Sequence, residues 1–273
     1  MKLSIITINF NNRDGLQKTI DSVITQTWKE FEWIIIDGGS TDGSKELIEK
    51  YSSYITYWVS EPDKGIYNAM NKGIKVAKGE YCLFLNSGDG LVSFDVLKKV
   101  FQRNISTDII NGNLIILSNP IRRDYGIHSD YISGYDLIKG NLNHQSTFIR
   151  KSLFDQYGLY DESLKIVSDW KFFFYTIVIK GCSVKYINED IAFFNTNGIS
   201  NTSLKKVKEE RIKVLSDLCP SHIIEDYTFT IHKNEICKHY FSRILYALLY
   251  RTVCFYEKII FNNEKSISHH STL

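Results

Sequence analysis

Residues 60–90 read SEPDKGIYNAMNKGIKVAKGEYCLFLNSGDG. An acid-containing turn leads into a segment of small residues and Asn at helical spacing. An apolar strand follows and stops at Asn86-Ser87-Gly88-Asp89. A buried strand that delivers a carboxylate to its own C-terminal edge is how open α/β sheets place ligand chemistry. The stretch points to a site for a charged ligand, a metal bound to phosphates in particular.

Upstream the same alternation continues. Leu3–Phe10 is β-rich, and Asp14–Gln26 carries Leu16, Ile20, Val23 and Ile24 at helical spacing. Glu32–Ile36 is a second apolar strand ending at Asp37-Gly38-Gly39. Thr41-Asp42-Gly43-Ser44 opens another helix with Asp and Ser available as caps. Ile55–Val59 is a third strand, Ile66–Ala77 a helix and Glu80–Leu85 a fourth strand. Strands alternating with helices predict βαβ units and a parallel sheet over about the first 100 residues.

Downstream the pattern loosens. Asp108–Leu117 reads as one or two strands around Asn111-Gly112-Asn113, and residues 119–147 are loop-rich. Lys151–Tyr157 and Ser168–Ile179 read as helices, Ser183–Ile187 and Ile191–Asn195 as strands. From Ser203 the chain reads as helical to about Phe261.

With 273 residues, 43% of them hydrophobic and 14% aromatic, the chain can bury a substantial core. A formal charge of +2 gives no reason to expect nucleic acid as a partner. Cys82, Cys182, Cys219, Cys237 and Cys254 are odd in number and have no CxxC spacing, against a disulfide framework or zinc site. The opening MKLSIITINF enters a strand at once, without the long apolar region of a signal peptide, so a cytoplasmic protein is expected. No segment reaches the roughly 18 apolar residues of a membrane span.

Several residues could carry chemistry. Asp37 would sit at a strand's carboxyl end beside glycines that let a ligand approach the backbone; the same sequence also fits a tight turn and an N-cap. Asp89, at the end of Leu83-Phe84-Leu85, suits a Mg²⁺ or Mn²⁺ ligand, and Ser-Gly-Asp-Gly also fits an Asx-type turn. Asp169 in Val167-Ser168-Asp169-Trp170 stands at the start of an aromatic helix, either as a general base in apolar surroundings or as a cap. His144 lies in loop-rich sequence before an apparent strand. Tyr67, Asn68 and Asn71 share one helical face. There is no GxGxxG after a strand, no GxxxxGK[ST] and no GxSxG, which weighs against nicotinamide, P-loop and serine-hydrolase chemistry.

Taken in order, SIITINFNN, IIIDGGSTDGS, the 60–89 stretch, NHQSTFIR and SDW resemble family 2 glycosyltransferases across about residues 3–200. The resemblance is nearest to bacterial members that build capsule, colanic-acid-like or O-antigen polysaccharides. It implies a GT-A fold, Rossmann-like, over residues 1–200, followed by a C-terminal helical extension over 201–273. It also implies a nucleotide-sugar donor, UDP-linked, and inversion in one displacement onto a saccharide or lipid-linked saccharide. By the same resemblance Thr7 and Asn9 contact the nucleoside, Asp37 its base, with Asp42 nearby. Asp63 and Lys64 face the nucleoside or pyrophosphate, and His144 lies near the diphosphate. Asp89 binds a divalent metal, Mn²⁺ or Mg²⁺, and Asp169 deprotonates the acceptor hydroxyl.

The chain departs from the family where many members have two or three acids: Asn86-Ser87-Gly88-Asp89 has one carboxylate. Mg²⁺ commonly binds through one or two carboxylates plus phosphates. Residues 234–261 mix apolar and aromatic residues with Lys238, Arg243, Arg251 and Lys258. They read as a helix on an anionic membrane surface, or as a core or oligomer-forming helix. Two other functions remain: a nucleotidyltransferase, for which no glycine- and lysine-rich loop follows the first strand, and a nucleotide-sugar-binding protein without catalysis, favoured by the reduced acid count.

Overall fold

The structure is a computed structural model and describes residues 1–117, 121–124, 127–195, 203–221 and 225. The chain divides into two compact units, Met1–Val214 and Leu215–Leu273. The second is described only through its first residues.

The alternation read from the sequence is the framework of the first unit. Strands β1 (Leu3–Asn9), β2 (Phe31–Asp37), β3 (Tyr57–Ser60) and β4 (Tyr81–Phe84) interleave with helices α1 (Arg13–Ile24), α2 (Ser44–Lys50) and α3 (Ile66–Val76). They lie in the order β3-β2-β1-β4, all parallel. Every residue of β1 and β4 is buried, as expected of strands covered on both faces. Leu3 and Ile5 pack in one cluster with Leu16, Ile20 and Val23 of α1 and Leu47 and Ile48 of α2. Ile6, on the opposite face by strand alternation, meets α3, where a Cβ added to Gly73 would fall 2.5 Å from its Cγ2.

Beyond β4 the sheet turns mixed. Helix α4 (Val96–Phe101) follows the two-residue strand β5 (Gly90–Leu91). Then come β6 (Ile109–Leu117), β7 (Arg122–Asp124), α5 (Gly134–Lys139), β8 (Thr147–Arg150), α6 (Ser152–Tyr157), α7 (Ser168–Phe173) and β9 (Val184–Asn195). The order continues β4-β8-β6-β9-β5, with β7 on β6. β8 runs antiparallel to both β4 and β6, and β9 runs parallel to β6.

Of the one or two strands read in Asp108–Leu117, the structure has one, β6 (Ile109–Leu117). The two strands expected in 183–195 are one, because the polar step Asn188–Asp190 pairs sideways: Asn113 Nδ2 donates to Asn188 Oδ1 at 3.1 Å and to Asp190 Oδ1 at 3.2 Å. Within loop-rich 119–147, α5 forms on a capping box between Ser133 and Asp136. The helix expected over 168–179 winds as α to Phe173 and as π from Phe174 to Ile179. Of the helical reading from Ser203 to about Phe261, α8 (Leu204–Leu218) lies among the described residues, ending before Cys219-Pro220, where proline disfavours helical geometry in the residue before it; residues 222–224 and 226–261 lie outside them. The expectation for 234–261 lies outside the described residues. No helix among the described residues is long and apolar enough to cross a membrane.

Candidate active site

The carboxyl ends of the parallel strands line up, since Asn9 pairs with Asp37 and Asp37 with Ser60. Those three side chains bond in a row. Asp37 Oδ1 accepts from Asn9 Nδ2 at 2.7 Å and Ser40 Oγ at 2.6 Å; Oδ2 accepts from Ser40 N at 2.9 Å and Ser60 Oγ at 2.6 Å. Burial would raise the Asp37 pKa, but the bonds from Ser40, Ser60 and Asn9 outweigh it and hold the carboxyl below its ordinary value.

In front of this row lies a cleft of about 1120 Å³. It brings together five of the nine residues to which the family resemblance gives a role: Asn9, Asp63, Asp89, His144 and Asp169. The other four do not line it. Thr7 is fully buried, its Oγ1 accepting from Trp33 Nε1 at 3.0 Å. Asp37 is enclosed as described. Asp42 accepts from the Arg13 backbone N–H at 2.8 Å and from Ser44 Oγ at 2.6 Å, tying α1 to α2. Lys64 is exposed, with its backbone N–H donating to Asn68 Oδ1 at 3.1 Å. Asp63 lies against Gly38: a Cβ there would fall 2.6 Å from Asp63 Oδ2, so a side chain at 38 would displace the carboxylate.

Asp89 sits in a turn built by α1. The Thr19 hydroxyl donates to the Asp89 carbonyl at 2.6 Å and accepts from Gly88 N at 3.0 Å. Asn12 caps α1 through Gly15 N and donates Nδ2 to the Ser87 carbonyl at 2.8 Å. Asp89 is buried, and Asn86 N donates to its Oδ2 at 3.1 Å. Burial pushes its pKa up to about 7, against the opposing charge of His144 and the bonds from Asn86 and Gln145. A carboxylate this reluctant to ionise alone sits where a cation would stabilise it. The described residues hold no cluster of three or more His, Cys, Asp or Glu suited to a metal. One carboxylate fits Mg²⁺ or Mn²⁺ held chiefly by a diphosphate, not a site made by the protein alone.

Across the cleft stands Asp169, in the first turn of α7. His144 Nδ1 donates to its Oδ2 at 2.9 Å, and Tyr67 OH lies 3.1 Å from its Oδ1 and donates to the Ile166 carbonyl at 2.5 Å. Burial works against ionisation of Asp169, but His144, the Trp170 N–H and Tyr67 prevail and lower its pKa. Burial likewise depresses His144, yet Asp169 and the charge of Asp89 raise its pKa overall. Its Nε2 is 3.3 Å from Asn86 Nδ2. A neutral imidazole protonated on Nδ1 satisfies both neighbours. A charged one calls for the Asn86 amide turned over, which would also partner its buried, unpaired Oδ1. His144 thus joins the Asp89 turn to Asp169.

Comparisons with known proteins bear on this arrangement. The model of the family described as Glycosyl transferase family 2 matches residues 4–155. The chain belongs to glycosyl transferase family 2. It is 29% identical over 222 residues to a PGL/p-HBAD biosynthesis glycosyltransferase of Mycobacterium bovis, covering 79% of this chain and 85% of that one. It is 31% identical over 214 residues to an uncharacterized glycosyltransferase of Mycobacterium tuberculosis, covering 73% and 77%.

Two solved structures share the GT-A fold of this glycosyltransferase. Staphylococcus aureus TarS 1-349 in complex with UDP-GlcNAc gives a TM-score of 0.58 at 19% identity over 75% of this chain and 61% of TarS. The mannosyltransferase PcManGT of Pyrobaculum calidifontis, in complex with GDP-Man and Mn²⁺, gives 0.61 at 10% identity over 80% and 64%. The chain therefore spans under two thirds of each of these longer structures.

Some residues of the candidate site are given no role by the sequence. Phe10, 65% exposed, lines the cleft at the end of β1. Thr19 and Asn12 shape the Asp89 turn, though nothing in their local sequence distinguishes them from ordinary helix residues. Glu210 and Arg211 of α8 reach the Asp169 side from a run, KVKEERIK, that reads as a solvated face.

Proposed function

We propose that this glycosyltransferase moves a sugar from a nucleoside-diphosphate donor to an acceptor hydroxyl in a single inverting displacement. One observation carries the reading: Asp89 and Asp169 stand on two sides of His144 in one cleft, burial raising the pKa of the first and hydrogen bonds from His144, Trp170 N–H and Tyr67 lowering that of the second. Two carboxylates whose surroundings push their pKa values apart are suited to different tasks.

Asp169 takes the proton of the acceptor hydroxyl as its oxygen bonds to the anomeric carbon. The bond from that carbon to the diphosphate breaks, and the nucleoside diphosphate leaves with the electron pair. Tyr67 and His144 hold Asp169 in place and keep it charged. Asp89 would hold a divalent metal, which would supply charge neutralisation on the leaving diphosphate.

On the donor side, Asn9 and Asp63 face the nucleotide and the exposed ring of Phe10 offers a stacking surface for its base. Thr7, Asp37 and Asp42 act from behind, fixing the strand ends and helix starts that carry those groups; Lys64 flanks the nucleotide at the surface. A UDP-linked donor is supported by the UDP-GlcNAc bound to TarS, and a divalent metal by the Mn²⁺ bound to PcManGT. The acceptor is a saccharide or lipid-linked saccharide of the cell surface, a reading that rests on the family resemblance.

The test is a panel of nucleotide sugars with Mn²⁺, read first as thermal stabilisation and then as release of nucleoside diphosphate. Asp169→Asn is expected to abolish transfer while donor affinity stays within about twofold. Turnover at the wild-type rate in that variant would end the assignment of the base.

A further inference from the structure

Helix α8 lies outside the stretch matched by the family, yet it reaches the cleft. Glu210 Oε1 accepts from the Lys165 backbone N–H at 2.9 Å, and Oε2 from those of Ile166 and Val167 at 3.0 and 3.3 Å. Three successive N–H groups converging on one carboxylate lock the helix onto the segment that leads into Asp169. Arg211 is thereby delivered to a fixed place. Its guanidinium carbon is 4.7 Å from the centroid of the Trp170 ring, and Nη1 is 3.5 Å from the Ile138 carbonyl. It lines the same cleft as Asp169.

What Arg211 lacks is a counter-charge. Its Nε is sealed from solvent with no hydrogen-bond partner, and Nη2 has none among the described residues. Among those residues it forms no ion pair; the charge of Asp169 acts on it only at longer range. A partly buried cation without a partner is costly. A neutral hydroxyl does not offset that charge, whereas an anion does. Nε is enclosed, so the unused donor that a phosphate oxygen in the cleft can meet is Nη2 of the same charged group. Its neighbours are Trp170, Ile138 and Asp169, and none of them belongs to the Asp89 turn.

We propose that Arg211 binds a phosphate group carried by the acceptor, on the Asp169 side of the cleft, with Glu210 setting its position. The proposal rests on Asp169 marking the acceptor side. A phosphate there comes from a lipid-linked acceptor or from a phosphorylated sugar, and the two share the chemistry that Arg211 recognises.

The experiment saturates the protein with Mn²⁺ and the nucleoside diphosphate that binds best, then titrates octyl phosphate or glucose 1-phosphate by calorimetry. Wild-type protein is expected to bind at least one of them, and the tighter one names the source. Arg211→Gln should weaken that binding by about 10–100-fold, with nucleoside diphosphate affinity unchanged within about twofold. Arg211→Lys, which keeps the charge and loses the planar guanidinium, should fall between, and it serves as the test if the Gln variant does not fold. Asp169→Asn should tighten phosphate binding by removing a nearby negative charge.

The proposal is overturned if neither phosphate binds the saturated wild-type protein, or if Arg211→Gln binds it equally well. It is also overturned if that variant loses nucleoside diphosphate instead, which would place the guanidinium on the donor. Turnover retained by Asp169→Asn would refute the base assignment and leave the phosphate titrations of Arg211 as they stand.

Discussion

Asp89→Asn should make the metal-free protein more stable at alkaline pH while impairing metal-dependent donor binding. The reason is the raised carboxyl, which moves from 3.8 to about 7 on folding. A carboxyl with a folded pKa above its unfolded value favours the protonated fold, so that stability is present at low pH and drains away as pH rises through the folded value. At about 1.4 kcal/mol per pH unit, a difference of about 3 sets a ceiling of about 4 kcal/mol, reached above pH ~7. The Asn side chain is neutral at every pH and can still accept from the Asn86 N–H. For a domain of this size the ceiling corresponds to a rise in Tm of roughly 8–16 °C. The assay is thermal unfolding of both proteins in chelator from pH 4 to 9, repeated with Mn²⁺ and UDP. The Asn variant should gain on wild type steadily above pH 4, and Mn²⁺ with UDP should stabilise wild type far more than the variant. No gain at pH 8.5, or a gain that does not shrink toward pH 4, would refute the argument from burial.

Asp37→Asn should destabilise by roughly 2–4 kcal/mol in denaturant titrations at neutral pH, because four donors converge on that carboxylate and the amide returns two protons toward them. Since its folded pKa is lowered, the stability that Asp37 supplies is present above its ordinary value and lost as pH falls below it, so the deficit should narrow near pH 3. Tyr67→Phe should lower kcat by about tenfold with donor KM little changed, because it removes the hydroxyl that holds Ile166 and Asp169. Gly79→Ala should cost about 3 kcal/mol in thermal or denaturant unfolding, at the upper end for overpacking, since its Cβ would fall 2.4 Å from the backbone nitrogen of Ser4, which cannot move aside alone.

The parallel half of the fold was legible because its signals are local. Apolar runs such as Ile34–Ile36 and Leu83–Leu85 have one use in a chain that alternates them with helices. The mixed half was less so, because β8 and β9 pair with strands far away in sequence, and Asn188–Asp190 looks like a break until Asn113 is beside it. Asp89, Asp169 and His144 could each be picked out as candidates, but the bond between His144 and Asp169 spans 25 residues of chain and no spacing announces it. The roles of Glu210 and Arg211 depend wholly on where α8 lands. A Glu-Arg pair in a charged run carries no mark of burial until the backbone of Lys165–Val167 is there to receive it.

The filled coordination of Asp37 also bears on how such an enzyme diversifies. All four acceptor positions of that carboxylate are occupied within the protein, so the row Asn9–Asp37–Ser60 is fixed before any nucleotide arrives. Variation that swaps one nucleobase for another would then fall on the loop residues around Phe10 and Asp63. The strand ends would pass unchanged from one donor preference to the next.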